Sequence, residues 1–146
     1  MPLLRRVSEI MTTNVFNVSI EDTIHDADEI MKREKIRHIP VLEGRKIVGV
    51  ITDLKIREYS LRNIYDANQN FGENGFNKII DYAKIMNPIT HVIYPEDSVA
   101  KAVALMAKYK LDCLPVVDWE MNLLGILTHT DILLFTHSLL MDMQKQ

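Results

Sequence analysis

Glycine and cysteine are scarce in this chain of 146 residues, and the scarcity removes several kinds of chemistry at once. The five glycines, at 44, 49, 72, 75 and 125, form no Gly-x-Gly-x-x-Gly turn and no Walker loop. A Gly-x-Ser-x-Gly nucleophile elbow is also absent. The five histidines, at 25, 38, 91, 129 and 137, make no His-Glu-x-x-His, a lone cysteine makes no Cys-x-x-Cys, and no metal site is assigned. No carboxylate pair is visibly arranged for acid–base work. The expectation is that the chain is not an enzyme and uses no cofactor as a catalyst. Cys113 has no partner for an internal disulfide; within Cys113-Leu114-Pro115-Val116-Val117 it reads as a buried thiol and fits a reducing cytoplasm. No stretch approaches the ~18 apolar residues of a membrane span, and Met1–Arg6 lacks the apolar region of a signal peptide. A net charge of −3 gives no reason to expect nucleic acid or an anionic membrane as a partner.

What the chain does have is an ordinary globular profile, 47% hydrophobic and 25% charged. Spacing predicts a short helix over 4–11, a strand over 15–18 and a helix from the Thr23 cap to Glu34. A hairpin follows, with strands over 39–42 and 47–51 around Glu43-Gly44-Arg45-Lys46, and then a helix capped by Thr52 and ending near Ile64. Residues 66–77, rich in Asn and Gly and without periodicity, read as a connecting loop.

The pattern then starts again about 75 residues on. Ile10-Met11 returns as Ile85-Met86, Glu21-Asp22-Thr23 as Glu96-Asp97-Ser98, and Pro40-Val41 as Pro115-Val116. After one inserted residue in the hairpin, Gly49, Thr52 and Ile56 return as Gly125, Thr128 and Ile132. This is an internal repeat, with a first unit at 1–65, a loop at 66–77 and a second unit at 78–146. Each unit reads β-α-β-β-α, the class is α/β, and each is too small for a secure core alone. Met11, Met31, Met86 and Met106 occupy matching places and read as core filling.

The second repeat ends on Gly125-Ile126-Leu127-Thr128-His129-Thr130-Asp131, a strand running into a helix. Thr128 and Asp131 stand beside a first turn whose N–H groups lack partners, a corner that can hold a phosphate or a ribose. The same spacing is close to a capping box, which needs no ligand. Both readings stay open on spacing alone.

The repeated Ile-Met, the Ile39-Pro40-Val41 and Leu114-Pro115-Val116 strands, Gly49-Val50-Ile51-Thr52 and the Gly125–Asp131 corner resemble a tandem of cystathionine-β-synthase (CBS) domains, from about Val7 to Leu139. The resemblance implies two repeats packed sheet to sheet about a pseudo-two-fold axis, with two clefts that in many members take AMP, ADP, ATP or S-adenosylmethionine. It implies a regulatory role, with AMP or ATP as the expected ligand, and pairing of two modules. Carried onto this chain, it makes Asp131 the ribose ligand and Thr128 a phosphate ligand. Thr90, Leu111, Cys113 and Leu114 frame the adenine, and Arg37 and His38 reach phosphate from the other repeat. The second cleft would use Thr13, Ile36, Ile39, Thr52 and Lys55. It is expected to be weaker, because Lys55 stands in the place of the ribose Asp and Asp112 and Cys113 replace the basic pair. A ligand-free dimerisation module and an S-adenosylmethionine binder are the alternatives. The apolar helices after Thr52 and Thr128 point to a homodimer, and the absence of any appended domain implies an output through that dimer or an unidentified regulated protein.

Overall fold

Thr23 and Ser98 open the same helix twice. The computed structural model describes residues 5–66 and 82–145, and the side chains of all but 62–66 and 82–83. Along it run α1 (Val7–Ile10), β1 (Val18–Ser19), α2 (Ile24–Glu34), β2 (His38–Glu43), β3 (Lys46–Thr52), α3 (Asp53–Asp66), α4 (Tyr82–Ile85), β4 (Asn87–Pro88), α5 (Val99–Tyr109), β5 (Cys113–Val117), β6 (Leu123–Thr128) and α6 (His129–Gln144). The Asp26 N–H donates to Thr23 Oγ1 at 3.3 Å, and the Lys101 N–H donates to Ser98 Oγ at 3.1 Å. Each hydroxyl satisfies an orphan donor of a helix start. Both helices end at a lysine in the left-handed region, Lys35 at φ 55° and Lys110 at φ 54°, whose N–H donates to the carbonyl of Met31 or Met106. A non-glycine residue there costs about 1–2 kcal/mol, yet both repeats use it to turn the chain back into a strand.

The chain divides into two packing units whose limits differ from those of the sequence repeats: Phe16–Ile89, and Met1–Val15 with Thr90–Gln146. They are called here the repeat-one and repeat-two units, after the repeat that supplies most of each. In the repeat-one unit β1 runs parallel to β2, β2 antiparallel to β3, and β3 antiparallel to β4. Val18, Ile24, Ala27, Met31, Ile39, Val41, Ile51 and Ile56 form its core, with Ile85 and Met86 against it. In the repeat-two unit β5 and β6 pair antiparallel, Ile93 bridges Val116 in parallel, and Thr12 bridges Ile126 antiparallel. Its core is Val7, Ile93, Ala102, Met106, Leu114, Val116 and Leu127, with Ile10 and Met11 against it. Each unit is therefore closed by the Ile-Met segment that heads the other repeat.

The α/β class and the repeated element order are as the sequence predicts, and Gly44 makes the hairpin turn at φ 65°. Several boundaries differ: α1 begins at Val7 after its Arg6 N-cap, α3 runs to Asp66, and both hairpin strands extend by a residue at each end. The first strand starts at Val18 because only Val18 and Ser19 come into register with Val41 and Leu42. The first helix stops at Ile10 because Met11 is extended at ψ 152° and delivers Thr12 to β6. Asp66 closes α3, and the rest of the expected 66–77 loop lies outside the described residues.

Candidate functional site

The corner between β6 and α6 is built by a glycine and a cap. A Cβ on Gly125 would lie 2.8 Å from Met11 Sδ and 2.9 Å from the Thr12 carbonyl oxygen, so only a bare backbone lets the head segment close on β6. Thr12 and Ile126 then exchange two backbone hydrogen bonds, each of 2.9 Å. Thr128 follows in extended conformation as the N-cap. Asp131 Oδ2 accepts the Thr128 N–H at 2.9 Å and its hydroxyl at 3.2 Å. The capping box is thus closed. The other carboxylate oxygen, Oδ1, accepts the Thr12 hydroxyl at 2.9 Å. Asp131 is half-buried and Thr12 exposed, so this edge of the carboxylate faces solvent.

Of the residues expected around this corner, Leu111, Cys113 and Leu114 are tied to it by register or a hydrogen bond. Cys113 stands opposite Thr128 in the β5–β6 register and Leu114 opposite Leu127, with Leu114 fully buried. His129 Nε2 lies 3.0 Å from the Leu111 carbonyl, a bond that puts the imidazole proton on Nε2. Thr90 is exposed, with its hydroxyl 3.0 Å from His91 Nδ1. The His91 ring stacks at 4.1 Å on Tyr109, two residues before Leu111. The Cys113 thiol is half-buried and is pushed up to about 11 from an ordinary 9.0, by burial first and by the Asp112 carboxylate second. It is a neutral wall of the corner and no nucleophile.

The matching corner of the repeat-one unit has the same backbone and different chemistry. A Cβ on Gly49 would lie 2.8 Å from Met86 Cγ and 3.0 Å from the Asn87 carbonyl oxygen. Thr52 Oγ1 accepts the Lys55 N–H at 3.2 Å, so Thr52 is a cap. Lys55, in the place of Asp131, reaches Glu58 at 3.8 Å. Asp53 turns along the helix to Arg57 at 3.2 Å. Asn87 holds the position of Thr12. Ile39 is fully buried and Ile36 half-buried, while Thr13 belongs to the repeat-two unit. Arg37 is exposed, and its carbonyl accepts the Asp53 N–H at 3.1 Å; His38 starts β2 opposite Thr52.

Two features went unread in the sequence. Thr12 left no signal, because its match is Asn87 and the repeat breaks there. The exchanged head segments did leave one, a glycine inside each hairpin strand, which marks a close approach of another backbone without naming it. Among the described residues no group of three His, Cys, Asp or Glu could hold a metal ion, and no helix is long and apolar enough to cross a membrane. On α6, Leu133 and Leu134 are 67% and 64% exposed, and on α3 Leu54 and Leu61 also face outward.

Comparison with known proteins gives consistent relatives. A family model of the CBS domain matches residues 7–62 and again 82–138. The chain is 32% identical over 129 residues to an inosine-5′-monophosphate dehydrogenase of Korarchaeum cryptofilum, covering 88% of this chain and 24% of that protein. It thus spans about a quarter of that relative's length. It is also 32% identical to the CBS domain-containing protein YhcV of Bacillus subtilis, over 86% of this chain and 81% of that one. Among solved structures, a Vibrio cholerae protein assigned to acetoin utilization (AcuB) superposes with a TM-score of 0.80 at 22% identity, covering 99% of this chain and 98% of that one. CBSX2 in complex with AMP gives 0.73 at 23% identity, over 92% and 97%. The CBS domain pair of protein MJ0100, in complex with 5′-methylthioadenosine and S-adenosyl-L-methionine, gives 0.74 at 23%, over 92% and 98%. With a family model matching both repeats, this chain belongs to the CBS domain family, of which it carries two copies in tandem.

Proposed function

We propose that this chain is a regulatory module that binds an adenosine compound of the AMP, ADP or ATP class and signals through a second copy or a regulated protein. The observation that carries the reading is the half-exposed Asp131 carboxylate. Its Oδ2 is consumed by the cap, while Oδ1 meets one donor among the described residues, Thr12. Such an oxygen can accept a ribose hydroxyl in a charge-assisted bond. That CBSX2 carries AMP and MJ0100 carries two adenosine compounds supports this ligand class. In this reading Thr90, Leu111, Cys113 and Leu114 frame the base, Thr128, Arg37 and His38 serve phosphate, and the corner with Lys55 is the weaker. The exposed leucines of α3 and α6 form the proposed surface for a second copy, which sedimentation across micromolar concentrations tests.

S-adenosylmethionine is the second reading, favoured by the MJ0100 complex. Thermal unfolding with AMP, ATP and S-adenosylmethionine separates the two. A ligand at 100 times its Kd adds about 2.7 kcal/mol. Arg37→Ala should weaken AMP and ATP about 10- to 100-fold, the value of a lost charge-assisted bond of about 1.5–3 kcal/mol. It should spare S-adenosylmethionine, whose sulfonium is cationic. No shift with any of the three favours a ligand-free interaction module.

A further inference from the structure

We propose that Thr12 is the second half of a ribose clamp, its hydroxyl oxygen receiving one hydroxyl of a vicinal diol while Asp131 Oδ1 receives the other. The proposal rests on the adenosine reading above and adds to it a residue from the head of the opposite repeat. A carboxylate offers about four lone-pair positions. Two, on Oδ2, are taken by the N–H and hydroxyl of Thr128, and a third, on Oδ1, by the Thr12 hydroxyl. One position remains on Asp131, too few for both hydroxyls of a ribose. Thr12 supplies the missing acceptor. Its proton is committed to Asp131, so its oxygen turns lone pairs to solvent, 2.9 Å from Oδ1. That separation is close to the spacing of neighbouring hydroxyl oxygens on a ribose. The pair is also preset: the Thr12 N–H and C=O are both bonded to Ile126, and Asp131 is fixed by its cap. The repeat-one unit has no such pair, since Asn87 and Lys55 occupy the two places.

The test is a binding series with AMP, 2′-deoxy-AMP and 3′-deoxy-AMP on the parent protein, Thr12→Val, Thr12→Ser and Asp131→Asn. The parent should lose about 10-fold for either deoxy compound, one hydrogen bond each. Thr12→Val should bind AMP about 10-fold more weakly and stay sensitive to one deoxy position only. Thr12→Ser, which keeps the hydroxyl, should reproduce the parent and guards against a general defect in folding. Had Thr12 only an orienting role, Thr12→Val would weaken AMP yet remain sensitive to both positions, and that overturns the clamp. So does a Thr12→Val protein that binds all three as the parent does while Asp131→Asn loses AMP; the adenosine reading then stands and the clamp alone falls. Failure of the parent to bind AMP removes the adenosine-nucleotide reading and the clamp with it.

Discussion

At matched places the repeat-two unit carries Thr12 and Asp131 where the repeat-one unit carries Asn87 and Lys55. Asp112 and Cys113 in the first stand where Arg37 and His38 stand in the second. The backbone under these differences is the same: a glycine in the strand, a threonine cap and a left-handed lysine closing the preceding helix. Core positions such as Ile39 and Leu114 are fully buried, so any change of volume is felt. The corner side chains are exposed or half-buried and can change sign without disturbing that packing. One fold thus places Asp131 at one corner and Lys55 at the other; only the carboxylate can accept a ribose hydroxyl, which is why one ligand per chain is expected and two equal sites in calorimetry would break the comparison.

The largest contrast should appear at Cys113, whose match is the imidazole of His38. With its thiol at about 11 in place of 9.0, the folded protein holds about 100-fold less thiolate at pH 8 than the unfolded chain. Iodoacetamide labelling should therefore be about 100-fold slower in buffer than in urea. Asp112→Asn should recover only part of the rate, because burial is the larger cause. The sign for stability follows from proton binding. Between pH 9 and about 11 the unfolded thiol loses its proton and the folded one keeps it. The contribution is complete below pH 9 and is lost as pH rises toward 11, so parent and Cys113→Ala should differ in pH dependence only above 9. Equal labelling rates in buffer and urea would remove the contrast.

A smaller effect is shared by the two glycines. An added Cβ meets the Met11 side chain and the Thr12 oxygen at 2.9 Å at Gly125, and the Met86 side chain and the Asn87 oxygen at 3.0 Å at Gly49. A side chain can swing aside more cheaply than a paired strand can move, so the backbone oxygen sets the cost at both. Overpacking of this kind costs about 1–3 kcal/mol, and Gly125→Ala and Gly49→Ala should both fall in that range. Urea unfolding measures both. Gly125→Ala should also weaken AMP, because displacing Thr12 opens its bond to Asp131.

The repeats, the α/β class and the caps Thr23, Thr52 and Thr128 are legible because each leaves a local periodic or spacing signal. Thr23 and Asp26 name a helix start within four residues, and Ile24, Ala27 and Met31 name its buried side. Apolarity starts the expected strand at Val15, three residues early, because it does not reveal that pairing with Val41 begins at Val18. The exchange of head segments was not legible for a related reason. Ile10-Met11 is apolar in either packing, and its destination on β6 is decided by a contact more than 100 residues away. At the candidate site, Thr128 and Asp131 were named from spacing, whereas Thr12, 119 residues from Asp131, could be found only in three dimensions.

The smallest expected change in stability is also the most discriminating, because it isolates the cap at each corner. Asp131 closes a capping box on Thr128, and the α3 cap has Thr52 without an acid three residues on. Lys55→Asp supplies one. It adds a carboxylate at a helix N-terminus, worth about 0.3–1 kcal/mol, and sacrifices only the exposed 3.8 Å pair with Glu58. A modest gain in unliganded stability is expected, with no nucleotide needed to see it. Asp131→Glu is the reciprocal case. Glutamate is a good third residue of a capping box, so the cap on Thr128 survives and the unliganded melting temperature should stay within the equivalent of about 0.5 kcal/mol. Its carboxylate moves by one methylene, however, and leaves the 2.9 Å reach of Thr12. The shift induced by AMP should then disappear while the fold is intact. If Asp131→Glu responds to AMP as the parent does, Asp131 serves α6 as a cap alone, and the difference between the two corners is one of helix chemistry rather than of ligand recognition.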